Sequence, residues 1–406
     1  MSSGKDHFSI SKSQWTTLVA LFSTSLLSLL TALLFCSSAI AQTEAVLHSF
    51  SGAPDGAVPY AALVRDKRGN LYGTTTLGGA SDLGTVFRVT PKGVEAVVYS
   101  FSGADGANPN SALVLDKQGN FYGVARGGAF GRGVVFKLAP AGAETVLYNF
   151  TGGADGGDPN GPLIFDKQGN LYGAAGGGTF DAGVVFKLTP SGVESVVYTF
   201  TGYADGGAPN GPLVLDAKGN LYGTGGIGGN GGFCPGAPQG CGVVFKISSS
   251  GSETLLHNFQ GDAIDAFAPT YGLIRDRSGN LYGTTMIGGQ SDRGALFEVT
   301  PSGTETVLVS FIVSDFGYYP SGGLLLDKAG SLYGTTTLAA HAPCYCGAVY
   351  ELGGGTYQVL YNFSNEYFPD GIYPYAGLVF GTKGRLYGTT TAGGTFGKGT
   401  IFVITP

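Results

Sequence analysis

The feature that most constrains this chain is a short segment, Leu or Phe followed by Tyr-Gly, that recurs along most of its length. Successive copies of its tyrosine are separated by 50, 50, 50, 60, 51 and 54 residues. A period near fifty residues is typical of repeat architectures, in which each unit buries its apolar face against its neighbours. We therefore expect seven copies of one unit, marked by Tyr72, Tyr122, Tyr172, Tyr222, Tyr282, Tyr333 and Tyr387.

Each unit contains four stretches rich in β-branched, aromatic and aliphatic residues. In the third unit these stretches read PLIFD, NLYGA, GVVFKLT and ESVVYTF, separated by turn sequences such as DKQGN and TPSGV. Asp, Asn, Gly and Pro in such positions form tight turns between strands. No segment after residue 41 shows the apolar spacing of an amphipathic helix. The sequence predicts an all-β fold, a seven-bladed β-propeller with four-stranded blades.

The two ends of the repeat region indicate that the ring is closed. The last unit stops after three strands at TIFVITP, whereas the region begins with a lone strand, TEAVLHSF. We expect this N-terminal strand to complete the last blade, because closure removes the exposed sheet edges of an open stack. An open β-solenoid is the alternative architecture, but it gives no reason for the complementary ends.

Small residues mark the innermost strand of each unit. Strands that crowd a central axis need small inward side chains, and the residue before a repeated Leu is always Ala, Pro or Gly. We expect that Leu, the Tyr of Tyr-Gly and the Phe that ends the fourth strand to pack between blades. The small residues are Ala62, Ala112, Pro162, Pro212, Gly272, Gly323 and Gly377.

Residues 1–41 have the composition of a secretory signal peptide. Lys5 and Lys12 precede an apolar run from Leu18 to Phe35, and Ala39-Ile40-Ala41 offers a cleavage site before Gln42. We therefore predict a signal peptide over residues 1–41 and one propeller domain over residues 42–406. An uncleaved membrane anchor is the alternative, since eighteen residues just span a bilayer, but five Ser or Thr dilute the run.

The charge balance disfavours nucleic acid as a partner. The chain carries 22 Lys and Arg against 28 Asp and Glu, and loss of residues 1–41 moves the net charge from −6 to −7 because two lysines leave with one aspartate. The remaining basic residues are scattered and form no basic stripe, which phosphate binding requires. We expect no nucleic-acid partner, no membrane association after signal cleavage, and a monomer.

Three motifs repeat in tandem across residues 44–406: D-x-x-G-N-L-Y-G-T-T, G-T-V-F-K-L-T-P and E-T-V-L-Y-S-F. Together they resemble the Gloeo-Verruco (GloVer) tandem repeat of secreted bacterial proteins. The resemblance implies export, to the periplasm or the outside medium, and a propeller-like fold. It supplies no catalytic residue that can be transferred to this chain.

Two sets of repeated aspartates have a structural interpretation. An Asp before the first hairpin turn and another in the D-G-x-x-P loop before each blade recur in nearly every copy. Their spacing lacks the alternating acids of a calcium loop, so we expect them to bond the amides of their own turns. The first set is Asp66, Asp116, Asp166, Asp216, Asp276 and Asp327; the second is Asp55, Asp105, Asp155, Asp205, Asp265, Asp315 and Asp370.

Four cysteines lie in two loop insertions. Cys234 and Cys241 belong to the fourth unit, and Cys344 and Cys346 to the sixth. In an exported protein local disulfides are the default, so we expect 234–241 and, with more strain, 344–346. With His341 the sequence HAPCYC offers three metal ligands but lacks a fourth, and we predict no metal site and no cofactor.

Enzymatic signatures are absent from the sequence. It contains no nucleophile elbow and no phosphate-binding loop, and its Gly-rich runs are loops. His48 and His257 replace the Tyr of the fourth strand and are expected to be structural. A glycan-active enzyme remains an alternative, because Asp82, Asp181 and Asp292 lie in variable loops and two of them could form an acid/base pair.

The loops before the blades differ around the ring. Units two to four carry the plain versions DGANPN, DGGDPN and DGGAPN, whereas units five to seven and one add aromatic residues. Aromatic loop residues either cover the top of the core or form flat faces for a sugar or a protein. The candidate ligand-binding residues are Tyr60, Asn110, Asn160, Asn210, Phe267, Phe316, Tyr318, Tyr319, Tyr367, Phe368, Tyr373 and Tyr375, and Tyr271 belongs to the same arc.

These observations favour a secreted, non-catalytic binding propeller that takes a polysaccharide or a protein on its loop face. The three asparagines are expected at the channel mouth opposite the aromatic arc. Besides the glycan-active enzyme, a purely structural component of the cell envelope is an alternative. That alternative predicts a loop face without a concave pocket.

Overall fold

The computed structural model describes residues 42–405 except for 230–233, 235–238, 262–264, 270, 314–316, 340–344 and 365–369. Residues 43–405 form one compact unit, whose described residues make seven antiparallel sheets with four main strands each and one two-stranded sheet, Gly56–Ala57 with Leu77–Gly78. The seven-bladed propeller predicted from the repeat is confirmed. We number the blades in chain order and their strands from the channel outwards.

The first four blades follow the repeat closely. Blade 1 has Val64–Arg65, Leu71–Thr75, Thr85–Val89 and Glu95–Ser100; blade 2 has Val114–Leu115, Phe121–Ala125, Val134–Leu138 and Glu144–Asn149. Blade 3 has Ile164–Phe165, Leu171–Ala175, Val184–Leu188 and Glu194–Thr199; blade 4 has Gly207–Leu215, Leu221–Ile227, Val243–Ile247 and Glu253–Asn258.

The remaining blades vary most in their inner strands. Blade 5 has Ala266–Pro269 with Ile274–Arg275, then Leu281–Gly288, Ala295–Val299 and Glu305–Ser310. Blade 6 has Tyr318–Leu326, Leu332–Leu338, Ala348–Gly353 and Thr356–Asn362. Blade 7 has Val379–Phe380, Leu386–Thr390, Thr400–Thr405 and, as its fourth strand, Thr43–Ser49.

Ring closure occurs as predicted. The N-terminal strand Thr43–Ser49 pairs antiparallel with Thr400–Thr405, from Thr43 opposite Thr405 to Ser49 opposite Thr400. One short 3₁₀ turn, Thr382–Gly384, is the only helical element among the described residues. Within that same part of the chain, no helix is long and apolar enough to cross a membrane.

The apolar core is divided into seven clusters, one between each pair of neighbouring blades. The phenylalanines that end the fourth strands are almost completely buried, as are the repeated leucines of the first strands. The cluster at ring closure joins Phe50 and Ile401 to Leu63 and Phe87 in the same way. Packing between blades therefore holds the ring together.

The Tyr-Gly pair has two roles in this packing. A Cβ on Gly73 would lie 2.6 Å from the Phe87 ring, and the other copies are equally close, so only glycine leaves room for the aromatic side chain. The tyrosine is half-buried rather than buried, because its ring covers the next blade while in five of the seven repeats its hydroxyl reaches a turn aspartate. The Tyr122 hydroxyl, for example, donates to Asp116 at 3.1 Å.

The described members of both sets of repeated aspartates form turns, as predicted, whereas Asp315 lies outside the described residues. One oxygen of the Asp166 carboxylate accepts the amides of Gln168 and Asn170, and the other accepts the side chain of Asn170. In the loops before the blades, Asp205 accepts the amide of Thr201 at 2.9 Å. These hydrogen bonds satisfy the carboxylates within their own turns and account for their recurrence.

Candidate functional site

Two loops of each repeat run side by side on one face of the propeller, which we call the loop face. The D-G-x-x-P segment before a blade pairs with the start of the Gly-rich loop after its second strand. In blade 1 this pairing joins Gly56–Ala57 to Leu77–Gly78, and in blade 6 it extends the first strand so that Tyr318 lies opposite Leu338. The loop face is therefore a continuation of the sheets.

A hydrogen bond between neighbouring blades fixes each of these loops. In every repeat one residue with positive φ donates its amide to a carbonyl of the preceding blade. In blades 6 and 7 that residue is a tyrosine. The Tyr319 amide donates to the Arg293 carbonyl at 3.0 Å, and the Tyr373 amide donates to the Cys346 carbonyl at 2.9 Å. The full set of donors is Val58, Asn108, Asp158, Ala208, Ala268, Tyr319 and Tyr373.

The central channel opens on the loop face through a cavity of about 500 Å³. All the small residues predicted for the inner strands line it except Gly272, whose neighbour Tyr271 does. The inner strands of blades 4 and 5 approach so closely that a Cβ on Gly272 would lie 2.3 Å from the Pro212 carbonyl. This contact explains the small residue at that position.

The channel mouth is polar on one side and aromatic on the other. Asn110, Asn160 and Asn210 lie on blades 2 to 4, and the Asn160 amide donates to Asn210 at 2.8 Å. Tyr60 and Tyr375, which occupy the same position in blades 1 and 7, stack with ring centroids 5.1 Å apart. The repeat position that holds Asn in blades 2 to 4 and Tyr in blades 1 and 7 therefore decides whether the mouth is polar or aromatic.

A second cavity, of about 560 Å³, adjoins the mouth above blades 5 to 7. We call it the tyrosine cavity because four tyrosines line it. Met286, Ile287 and Leu338 add apolar surface, and Asp292 supplies a carboxylate. The tyrosines are Tyr271, Tyr319, Tyr373 and Tyr375.

Tyr271 lies between the two cavities and contributes to both. Its hydroxyl is hydrogen-bonded to Tyr60. Burial, followed by the nearby hydroxyls of Tyr60 and Tyr375, raises the pKa of Tyr271 well above the ordinary tyrosine value. The hydroxyl therefore stays protonated and is available only as a neutral hydrogen-bonding group.

Arg293 supports the outer wall of the tyrosine cavity. Its guanidinium lies 5.5 Å from the centre of the Tyr319 ring and donates to the Tyr319 hydroxyl at 2.5 Å. It also lies 5.7 Å from the ring centre of Tyr318. The Arg293 guanidinium and the hydrogen bond from the Tyr319 backbone amide together hold this side chain in one orientation.

A groove of about 990 Å³ on the opposite face is larger than either cavity. It is lined by the first hairpin turns of blades 2 to 4, including Asp116, Asp166 and Asp216. These carboxylates already bond the amides of their own turns, and the groove has fewer aromatic side chains than the tyrosine cavity. We therefore place the candidate site at the tyrosine cavity, despite its smaller volume.

Comparison with known protein families identifies the repeat. The model of the Gloeobacter/Verrucomicrobia repeat matches residues 33–234 and 230–406. The chain belongs to this family. The resemblance inferred from the repeated motifs is thus confirmed, whereas no curated protein matches the sequence.

Solved structures similar to this member of the Gloeobacter/Verrucomicrobia repeat family include two extracellular domains from B. thetaiotaomicron. One belongs to a protein described as a hybrid two-component system, with 15% identity, a TM-score of 0.57, and coverage of 90% of this chain but only 42% of the other. The second belongs to a one-component system, with 11% identity, a TM-score of 0.54, and coverage of 87% and 39%. These similarities support the fold alone.

A gluconolactonase from Xanthomonas campestris is also similar, at 14% identity and a TM-score of 0.44, with 72% of this chain and 86% of the other covered. The repeat protein spans less than half the length of the two extracellular domains. Activities of these proteins are therefore not transferred to it.

Two residues predicted to bind ligand are buried instead. Phe267 is 5% exposed in the core between blades 4 and 5, and Tyr318 is 8% exposed between blades 5 and 6. Both lie on loop segments that pair as strands, so their side chains alternate and these two point into the core. Phe316, Tyr367 and Phe368 lie outside the described residues.

The three loop carboxylates do not form a pair in the tyrosine cavity. Asp82, Asp181 and Asp292 occupy corresponding loops of blades 1, 3 and 5, which are not neighbours. Asp82 and Asp292 each accept a glycine amide of their own loop, at 2.7 and 3.0 Å. Among the described residues that line the cavity, Asp292 is the only acid.

The predicted disulfide between Cys234 and Cys241 is present, and both cysteines are buried. Cys346 is buried too, but Cys344 and His341 lie outside the described residues, so the 344–346 bridge stays a prediction. The observed bridge anchors the insertion of blade 4 beside Phe267 and Phe259.

Sequence reasoning missed several exposed aromatic residues of the repeat. Phe130, Phe180 and Phe396 occupy the same position of the Gly-rich loop in blades 2, 3 and 7 and are 58–62% exposed. Tyr203, in the loop before blade 4, is 79% exposed. The recurring pattern G-G-x-F would have revealed the phenylalanines.

Proposed function

We propose that this protein is an exported, non-catalytic binding propeller that holds a polysaccharide in the tyrosine cavity. The carrying observation is the convergence of Tyr271, Tyr319, Tyr373 and Tyr375 around one concave volume of about 560 Å³. Tyrosine offers a flat apolar face for a sugar ring and a hydroxyl for its polar edge. A protein surface is the second ligand class that suits the same features.

The composition of the cavity supports binding rather than hydrolysis. Glycoside hydrolysis ordinarily needs two carboxyl groups at a defined separation. The described lining offers Asp292 alone, and that carboxylate accepts the Gly288 amide. A single acid of this kind is better suited to accept hydrogen bonds from sugar hydroxyls.

The order of the cavity wall also supports a binding role. Tyr319 and Tyr373 are held through their own backbone amides by the preceding blade, and Arg293 fixes the Tyr319 ring. Side chains that are positioned before the ligand arrives lose little conformational entropy on binding. We therefore expect the free protein to present the binding geometry.

Export is supported by two features. The sequence of residues 1–41 has the three parts of a signal peptide, and the Cys234–Cys241 disulfide is the kind of bond that persists in oxidising compartments. We propose a periplasmic or extracellular location, where polysaccharides of the cell envelope or the surroundings are accessible.

The proposal is tested by screening the purified protein against bacterial and plant polysaccharides by thermal shift, with isothermal titration of those that raise the melting temperature. The variant Tyr319→Ala/Tyr373→Ala removes two walls of the cavity. The control Phe130→Ala/Phe180→Ala removes two loop-face rings that lie outside it. We expect a ligand that the first variant loses and the second retains.

A different binding site, an enzymatic activity and a role without a glycan ligand would each give a different result in this experiment. Binding that survives Tyr319→Ala/Tyr373→Ala contradicts the tyrosine cavity as the site. Release of reducing sugars, abolished by Asp292→Asn, would indicate an enzyme. A panel without any ligand would contradict glycan binding and leave a protein partner or a structural envelope role.

A further inference from the structure

A second set of polar clusters lies at the junctions between blades, away from the tyrosine cavity. Each consists of a residue on the fourth strand of one blade, the Asp of the following loop and the Glu that begins the fourth strand of the next blade. In four junctions the first residue is a tyrosine. These are Tyr99–Asp105–Glu144, Tyr148–Asp155–Glu194, Tyr198–Asp205–Glu253 and Tyr361–Asp370–Glu44.

The tyrosine junctions show what the cluster does without a cation. The Tyr148 hydroxyl donates to Asp155 at 2.9 Å, and Tyr198 donates to Asp205 at 3.1 Å. Each aspartate thus has a side-chain donor. The phenol is neutral, because burial and the adjacent aspartate keep the pKa of the tyrosine above its ordinary value.

Two junctions carry histidine in place of tyrosine. His48 lies with Asp55 and Glu95 between blades 7 and 1, and His257 lies with Asp265 and Glu305 between blades 4 and 5. In each trio the imidazole nitrogen and the two carboxylate oxygens lie within 4.8 Å of one another. Imidazole and carboxylate are ligands for divalent transition metals.

We propose that each of these two histidine junctions binds one divalent transition-metal cation of the Zn²⁺ class. Zinc bonds nitrogen and oxygen at about 2.0–2.2 Å, so neighbouring ligands of a tetrahedral site are roughly 3.3–3.5 Å apart. The His48–Asp55 and His257–Asp265 separations are 3.3 and 3.5 Å. The third ligand is the glutamate, and water completes the coordination.

Unpartnered buried atoms at both sites support this assignment. One carboxylate oxygen of Glu95 and one of Glu305 are shielded from solvent and have no hydrogen-bond partner, as is also true of the glutamates in the tyrosine junctions, whereas Nε2 of His257 is an unpartnered buried atom that only a histidine junction has. Burying such atoms without a partner costs free energy, which a bound cation would offset. The His48, Asp55, His257 and Asp265 side chains are only 10–20% exposed.

The backbone already orients the central ligand of each site. Asp55 accepts the amides of Ser51 at 2.9 Å and Gly56 at 2.6 Å. Asp265 accepts the amides of Gln260 and Ala266, each at 2.7 Å. Hydrogen bonds of this kind hold metal-binding carboxylates in position.

The location suggests what the cations do. His48 belongs to the N-terminal strand that closes the ring, whereas Glu95 belongs to blade 1. The first cation would therefore connect the closing strand to the next blade, and the second would connect blade 4 to blade 5. A cation that binds only the folded ring stabilises it by mass action.

The test uses the full protein after removal of metals with EDTA. Isothermal titration with Zn²⁺ is expected to reveal two sites that His48→Tyr and His257→Tyr remove one at a time. Tyrosine is the residue of the other junctions, so these variants preserve the fold, which circular dichroism would check. Zn²⁺ should raise the melting temperature of the parent and have less effect on each variant.

A gain-of-function variant completes the design. Tyr198→His converts a tyrosine junction, with Asp205 and Glu253 in place, and should add one Zn²⁺ site. The proposal is overturned if the parent and His48→Tyr/His257→Tyr bind the same number of Zn²⁺ ions, or if neither binds any. In that case the histidines act only as hydrogen-bonding replacements for tyrosine.

Discussion

Blades 2 to 4 and blades 5 to 7 have the same backbone frame but place their aromatic side chains differently. In blades 2 and 3 the loop rings, Phe130 and Phe180, stand exposed at the outer tips, as Phe396 does in blade 7, and the channel mouth of blades 2 to 4 carries asparagines. In blades 5 to 7 the rings of Tyr271, Tyr319 and Tyr375 turn inward and line one cavity. The difference teaches that a few loop positions decide the chemistry of the loop face while the packing between blades stays constant.

The seam between the two regions offers the largest expected effect. Gly272→Ala places a Cβ against the Pro212 carbonyl, so we expect a loss of about 1–3 kcal/mol of stability. Gly323→Ala is the matched control, because a Cβ on this inner-strand glycine meets no atom within 4 Å. Chemical denaturation would compare the two, and equal stabilities would contradict the close approach.

The residue at the channel mouth that is Asn in blades 2 to 4 and Tyr in blade 7 can be exchanged by a single substitution. Tyr375→Asn gives blade 7 the residue that blades 2 to 4 carry, removing the Tyr60 stack and one wall of the tyrosine cavity. We expect the affinity for the polysaccharide to fall about tenfold, equivalent to roughly 1.4 kcal/mol. Asn160→Ala should change the affinity for the polysaccharide by less than about twofold. Isothermal titration of both variants would show whether blade 7 contributes more to binding than blade 3.

Tyrosine junctions occur in both regions, and the two that contain Glu144 and Glu253, in blades 2 and 4, should respond to pH alike. Burial, and then the charge of Asp105 or Asp205, raises the pKa of Glu144 and Glu253 from 4.5 to about 7. The folded protein therefore retains these protons better than the unfolded chain. Their stabilising effect is complete below about pH 4.5 and is lost as pH rises through about 7.

Glutamine at these positions copies the protonated carboxyl. Because the groups are partly exposed, we expect Glu144→Gln and Glu253→Gln each to raise the melting temperature at pH 8 by only about 1–2 °C. At pH 4.5 the variants should match the parent. A melting temperature that is equally raised at both pH values would contradict a role for ionisation.

The smallest effect is expected at the outer tips. Phe180→Ala removes a ring that is 58% exposed, so stability should change by less than about 0.5 kcal/mol. Polysaccharide affinity should be unchanged by titration. A large loss of affinity would show that the ligand also contacts blades 2 and 3, and would remove the contrast between the regions.

The repeat made most of the fold predictable from sequence. The Tyr-Gly spacing gave the blade count, and the split ends gave the closure by Thr43–Ser49. Small residues such as Ala62 identified the inner strands because crowding at the axis allows few side chains. Each of these arguments depends on a steric requirement that every copy must satisfy.

The site was less predictable because its residues depend on details that vary between copies. Phe267 and Tyr318 were assigned to the surface, since the sequence does not show that their loops pair as strands and turn them inward. The junction clusters escaped notice because Tyr148 and Glu194 are distant in sequence. Only the structure brings such residues from successive blades together.

The pairing of Thr43 with Thr405 means that which blade comes first along the chain is arbitrary, while the cyclic order of the blades is fixed. In blade 3 the corresponding strands are joined by the three residues Pro190, Ser191 and Gly192, between Thr189 and Val193. The same tripeptide inserted between Thr405 and Thr43 would make the backbone circular. New termini could then be opened at another hairpin turn, so the molecule should tolerate circular permutation.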